Sequence, residues 1–432
     1  MTFDRIDMNE LEKELIEFRR DLHTYPESGW TEFRTTAKII TELEKLGLPV
    51  RFGREIHSPE SMYGMPKPEA LEECYERALA ESDRPELIEK MKGGYTGCVT
   101  MIEGALPGPT IGIRVDIDCN DVSETEDFGH KPVMNGFRSK HKNCMHACGH
   151  DAHTAIGLGT AKILSAYKDV LKGRVMLVFQ PAEEGLRGAA SLTATGMFKD
   201  CDYFFGAHIG LKSTHLGMVA ASSTGFLAST KFDAVFHGAS AHAGLAPNLG
   251  KNAMAAASTA VLNMLAIPRH QDGSSRINIG TFRSGTGRNV VPEYAELTIE
   301  TRGITSEINE YMEKSAKRVC QASADMYECG LDINFMGSAG GIVCDPEVVS
   351  RAREILEGVD GVDEVIEDFD FGAGEDVCTI MKAVQSHGGK VTEMVFGMPL
   401  IAPHHNNRFD LDERVIGIGA RSFASIALEI EG

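Results

Sequence analysis

Thr110-Ile-Gly-Ile-Arg-Val-Asp-Ile117, with its apolar residues at 111, 113, 115 and 117, reads as a β-strand. Two more runs follow it, Arg174-Val-Met-Leu-Val-Phe179 and Tyr203-Phe-Phe-Gly-Ala-His-Ile209, and both are nearly continuous in apolar residues. Strands covered on both faces have that look. Between the first two lies HTAIGLGTAKILSAY (153–167), which has helical periodicity, and between the second two lies RGAASLTATGMF (187–198). Strand, helix, strand, helix, strand at this spacing implies an α/β fold, a mostly parallel sheet flanked by helices.

Working outward, Leu11, Leu15, Phe18 and Leu22 recur at helical spacing, with Asn9 as the expected N-cap and Pro26 as the stop. A second helix is expected over 31–46. Residues 53–95, rich in Glu, Lys and Pro, read as a short exposed helical excursion. Downstream the rhythm changes to strand 230–237, helix 251–265, strands 276–282 and 294–301, helix 306–327 and strand 331–336. That βαββαβ order is the ferredoxin-like arrangement and is complete in itself, so residues 215–337 are expected to form an inserted domain. The larger domain would then comprise 1–214 and 338–432. Helices 346–357, 375–386 and 412–428 and strand 390–396 resume its rhythm.

The chain has 432 residues, 43 Lys+Arg against 63 Asp+Glu and a net charge of −20. A surface so acidic repels phosphate backbones and anionic headgroups, and no basic patch offsets it, so neither nucleic acid nor membrane is an expected partner. The opening MTFDRIDMNE has no apolar run, and the Ala-rich stretch 253–267 is too short and too polar to span a bilayer. A cytoplasmic location is expected. Ten irregularly spaced cysteines suit a reducing compartment.

Four stretches collect metal-type donors in turns near strand ends, where an open parallel sheet places its active site. They are Met145-His-Ala-Cys-Gly-His-Asp-Ala-His153, Gln180-Pro-Ala-Glu-Glu184, His208 and His404-His405. Cys148 and His150, one glycine apart, can aim a thiolate and an imidazole at one ion, and the following helix N-terminus should favour the thiolate. Each has a plainer reading alone: Cys148 as a buried thiol, Glu183 and Glu184 as a solvated helix start, His208 as a core histidine. Four together favour a metal site. No GxGxxG after a strand, GxxxxGK[ST], HExxH or GxSxG occurs, which removes the main support for nucleotide and serine-hydrolase chemistry. Phe371-Gly-Ala-Gly-Glu-Asp376 reads as a tight turn with no strand before it.

With Arg19-Arg-Asp-Leu-His23, Pro26-Glu27, Arg114-Val-Asp-Ile-Asp118, MHACGHDAH, QPAEEG and HHNNRFD, the chain resembles the M20 family of metallopeptidases and amidohydrolases along nearly its whole length. The likeness is strongest to the branch acting on N-acyl amino acids. It implies two divalent cations, Mn²⁺ or Zn²⁺, on Cys148, His150, Glu184, His208 and His405, with Glu183 as general base. His405 is preferred to His404 because the family's ligand stands four residues before the Phe, here Phe409.

The resemblance further implies that the inserted domain is a lid and dimerisation domain. From it, His242 of a neighbouring subunit would stabilise charge on the carbonyl oxygen, and Asn289 and Arg302 would hold the substrate's carboxylate. Without the resemblance, His242 would merely pack and Arg302 would be a solvated charge. The implied activity is hydrolysis of an N-acyl amino acid such as p-aminobenzoyl-glutamate, by a homodimer or a heteromer with a related subunit. Other N-acyl amino acids or dipeptides, or a catalytically silent metal-binding subunit, are the alternatives. Cys119-Asn-Asp121 departs from the branch's usual Ala-Leu-Pro, which weakens the role of Asp118 in orienting a ligand histidine.

Overall fold

The three apolar runs become neighbouring parallel strands. The computed structural model describes residues 3–431; Met1, Thr2 and Gly432, at the outer ends of the expected 1–214 and 338–432 segments, lie outside them. In chain order the strands are β1 (Val50–Phe52), β2 (Cys98–Glu103), β3 (Leu106–Asp116), β4 (Lys172–Gln180), β5 (Tyr203–Ile209), β6 (Met218–Thr224), β7 (Ala228–His237), β8 (Ser275–Ser284), β9 (Tyr294–Gly303), β10 (Gly330–Ala339), β11 (Glu364–Asp370) and β12 (Lys390–Phe396). Two compact units contain them.

The larger unit runs up to Thr224 and includes Ile342–Phe371 and the chain from Asp376 onward. Its sheet has the order β1-β2-β4-β3-β5-β12-β6-β11. The joins β3/β4, β3/β5, β5/β12 and β6/β11 are parallel, and the rest are antiparallel. Asp116, Gln180, Ile209 and Phe396 therefore end four adjacent strands on one side of the sheet. The helix His150–Ala166 packs tightly against β3 and against the helix Met8–Thr24: a Cβ on Gly157 would sit 2.8 Å from Val115, and one on Gly159 would sit 2.7 Å from Leu15. Only glycine allows such close approach.

The smaller unit comprises Gly225–Gly341 and Gly372–Glu375. Its antiparallel sheet, order β10-β7-β9-β8, is covered on one face by the helices Ala253–Leu265 and Ser306–Met326, with Phe232, Phe236, Leu297, Ala257 and Met312 in its core. It begins at Gly225 and not at 215, because the unanticipated β6 pairs in parallel with β11 in the large sheet. Small residues in Met218-Val-Ala-Ala-Ser-Ser-Thr224 hide β6 from propensity. An exposed edge rich in acids, Glu364-Val-Ile-Glu-Asp-Phe-Asp370, hides β11, so a strand does precede the 371–376 turn.

Two further expectations are corrected. The helix Met8–Thr24 is capped by Asp7, whose side chain accepts from the Asn9 and Glu10 amides, and not by Asn9. Nor is 53–95 an exposed excursion. Ile56, Tyr75, Ala78, Leu87, Ile88 and Met91 are buried, so its two helices, Pro68–Glu81 and Pro85–Lys90, close part of the core.

Candidate metal centre

At the carboxyl edge of β3, β4 and β5, donors from distant parts of the chain meet. Gly149, at φ 87°, turns the chain into the helix His150–Ala166 and places Cys148 and His150 on the two sides of that turn. Cys148 Sγ lies 3.4 Å from His208 Nε2, His405 Nε2 lies 3.4 Å from Glu184 Oε1, and His150 Nε2 lies 4.0 Å from Glu183 Oε2. Donor atoms of Cys148, Glu184 and His405 fall within 4.8 Å of one another, as do those of His150, Glu183 and Glu184. Cys148, His208 and His404 form a third such group, and His150, His153 and His208 a fourth. All five residues expected as ligands, and the expected base Glu183, thus occupy one cluster.

Asp118 organises much of it. Its carboxylate faces His150 Nδ1 at 3.2 Å and accepts from the amides of Glu183 at 3.1 Å and Glu184 at 2.9 Å. One side chain therefore fixes both an imidazole and the two-acid turn. That turn needs Ala182 at φ 53°, held by its amide's 2.7 Å hydrogen bond to Glu32. His405 also has a positive φ, 62°, and its amide donates to the carbonyl of Ala147 at 2.7 Å. Strain of this kind concentrates at functional sites.

The sequence profile of peptidase family M20/M25/M40 matches residues 112–429. The chain belongs to that family. It is 43% identical to indole-3-acetyl-aspartic acid hydrolase of Enterobacter agglomerans, over 98% of this chain and 97% of that one. It is 42% identical to one subunit of the p-aminobenzoyl-glutamate hydrolase of Escherichia coli (strain K12), with the same two coverages. The crystal structure of an aminobenzoyl-glutamate utilization protein from Klebsiella pneumoniae superimposes with a TM-score of 0.83 at 36% identity, covering 98% of this chain and 96% of that one. The chain is a metal-dependent amidohydrolase.

In this M20 chain the donors fit a divalent cation. His208 Nδ1 donates to the Ile209 carbonyl at 2.7 Å, which leaves the Nε2 lone pair facing Cys148. His150 Nε2 is buried without a hydrogen-bond partner, a costly omission for a polar atom unless something binds there. Sulfur, imidazole and carboxylate donors together suit a borderline ion. His404 Nε2, by contrast, is engaged with the Ile209 carbonyl at 3.2 Å.

Titration follows from the same contacts. Hydrogen bonds to Cys148 and Glu184 push His405 up to about 10. Burial opposes ionisation of Glu184, yet the His405 hydrogen bond and the charge of His150 bring it to about 2. Burial also pushes the Cys148 thiol up, against the charge of nearby His150. His208 is driven well below its ordinary value by burial and by His153 and His404. Cation binding would displace the protons held on the thiol and on His405.

The remaining expected residues lie in the smaller unit. His242 is exposed, and its Nδ1 accepts from the Gly244 and Leu245 amides, both at 3.2 Å, which leaves Nε2 as a free donor. Asn289 is exposed on the loop before β9. Arg302 is half-buried on β9 and grips Glu300 through Nε at 2.9 Å and Nη2 at 3.1 Å, which pairs one edge of its guanidinium.

Several residues support the cluster through contacts to which the sequence reading gave no role. Asp116 holds His153 Nδ1 at 2.6 Å. Buried Arg19 reaches Asp151 at 2.7 Å, Asp151 holds His23 at 2.8 Å, and His23 meets Glu124 at 3.0 Å. The i,i+4 spacing of Arg19 and His23 was the available signal for that chain of contacts. Glu32 had none. Burial and then the charge of Asp118 lift its carboxyl to about 8.

Proposed function

We propose that this enzyme cleaves the amide bond of an N-acyl or N-aroyl amino acid, with p-aminobenzoyl-glutamate as the leading substrate. The convergence of 145–153, 180–184, His208 and His405 on one cluster carries the reading. Cys148, His150, Glu184, His208 and His405 hold two divalent cations, Mn²⁺ or Zn²⁺. Bound there, the cations would supply Lewis acidity, bringing a water's pKa toward neutrality and polarising the amide carbonyl.

Glu183, fixed by its amide's bond to Asp118, takes the proton of the attacking water and returns it to the leaving amine. His242 of a neighbouring subunit offers Nε2–H to the carbonyl oxygen as negative charge develops on it. Asn289 and Arg302 hold the substrate's free carboxylate, Arg302 through its fixed fork of donors. The smaller unit, ferredoxin-like in its βαββαβ order, acts as lid and dimerisation domain, and the enzyme works as a homodimer or with a related subunit. Two relatives are named as one subunit of a hydrolase or as the homologue of that subunit, which supports a partner. The enzyme resides in the cytoplasm; among the described residues no helix is long and apolar enough to cross a membrane.

Specificity for a different acyl group is the second reading, favoured by the 43% identity to indole-3-acetyl-aspartic acid hydrolase. The test is metal analysis of the purified protein, followed by assays with Mn²⁺ or Zn²⁺ on p-aminobenzoyl-glutamate, indole-3-acetyl-aspartate, N-acetyl amino acids and dipeptides. Metal-dependent release of p-aminobenzoate, faster than turnover of the others, supports the first reading. Preference for another amide selects a different substrate, and failure on every amide with either metal refutes the proposal.

A further inference from the structure

Arg276 of β8 and Arg302 of β9 stand directly opposite each other in the smaller unit's sheet. The next pair along the same face is Asn278 and Glu300, and Lys231 of β7 lies across from Glu300 on its other side. Both helices cover the opposite face, over Phe232, Ile277, Leu297 and Ile299, so this polar group lies on the open face. Like charges directly opposite each other destabilise a sheet. An arrangement of three cations around one acid, in a chain of net charge −20, calls for an anion.

Glu300 does not supply enough. Its carboxylate is committed to Arg302 Nε and Nη2, accepts from Ser229 Oγ at 3.3 Å and lies 3.8 Å from Lys231 Nζ. A guanidinium has two forked edges, and Glu300 occupies only one edge of Arg302, which leaves the Nη1/Nη2 edge for another carboxylate. Arg276 is less engaged still. Among the described residues it donates to one backbone carbonyl, its neighbour Ser275, at 2.8 Å, and to no carboxylate. Two arginines at directly opposed positions of β8 and β9 thus keep guanidinium donors that no carboxylate takes up among the described residues.

We propose that Arg276 is a specificity-determining residue, taking the side-chain carboxylate of a dicarboxylic N-acyl amino acid while Arg302 takes the α-carboxylate. Glu300 positions Arg302 by fixing one edge of its guanidinium. This rests on the assignment of Arg302 to the substrate's carboxylate made above. It predicts selection for amides of aspartate or glutamate over those of neutral amino acids. The names of both relatives at 42% and 43% identity contain such an acid.

The test compares wild type with Arg276→Ala on p-aminobenzoyl-glutamate and on its neutral isostere p-aminobenzoyl-glutamine. The variant should lose about 10- to 100-fold in kcat/KM on the glutamate amide, through KM, and change by less than about threefold on the glutamine amide. Equal losses on both, or no loss on the glutamate amide, overturn the proposal. Calorimetric binding of free L-glutamate and L-glutamine to the metal-loaded protein reads the same clamp without turnover. Wild type should favour glutamate and the variant should not; no preference in wild type overturns the proposal. An enzyme that binds glutamate selectively but hydrolyses no amide would leave the clamp standing and bring down the functional reading alone.

Discussion

The two units hold their candidate site residues in opposite ways. In the larger one, side chains are locked by buried partners: Asp118 fixes His150, Glu183 and Glu184, and Asp116 fixes His153. In the smaller one, His242 and Asn289 are exposed on turns, and Arg302 is steadied by a single acid on an open sheet face. Cation ligands must be deprotonated and pre-aimed, which rewards a rigid and costly cage. Groups that receive a substrate must stay open to it. His405 is the intermediate case, with its side chain 56% exposed, yet tied by its backbone to Ala147 and by its ring to Glu184.

The contrast can be broken by mutation, beginning with the largest expected effect. Glu183→Gln should lower kcat by about 10²- to 10⁴-fold while metal content and melting temperature stay at wild-type values. Undiminished turnover would remove Glu183 as the base, and no measurable turnover in wild type or variant would leave a silent metal-binding subunit. On the other side, His242→Ala should lower kcat by about 10²- to 10³-fold and shift stability by less than about 0.5 kcal/mol, because the ring is exposed. Denaturation curves beside kinetics check both halves, and a large stability loss would make His242 a packing residue.

The rigid unit should also show its cost in acid. Burial opposes ionisation of Glu124, but hydrogen bonds from His130 and His23 hold it at about 2. Because that lies below its ordinary value of 4.5, its contribution is complete above about pH 5 and lost as pH falls toward 2, a matter of about 3 kcal/mol. Urea unfolding across this range should therefore be steeper in pH for wild type than for Glu124→Gln; identical slopes would deny the network its role. The smallest effect is expected from Asp118→Asn, which should weaken metal affinity by about 10- to 100-fold, read by competition with a chelator. Unaltered affinity would mean that the cage does not depend on that carboxylate.

Much of this was legible in the linear chain wherever a residue's neighbours in sequence are also its neighbours in space. Apolar alternation at 110–117, the periodicity of 153–167 and the βαββαβ order depend on local spacing, and each appears as an element with ends shifted by a few residues. Cys148 and His150 were readable for the same reason, being joined by one glycine turn. Strands β6 and β11 were not, because small side chains and an acidic edge carry no burial signature.

The sequence by itself determined which atoms could bind a cation: a thiol, imidazoles and paired acids in four separate turns. Only the tertiary structure decided that they share one cluster, that Asp118 reaches two turns 32 and 66 residues away along the chain, and that 53–95 belongs to the core. The reason is physical. Donor chemistry resides in single side chains, whereas proximity, burial and the resulting proton affinities are set by parallel strands that bring remote segments to one edge.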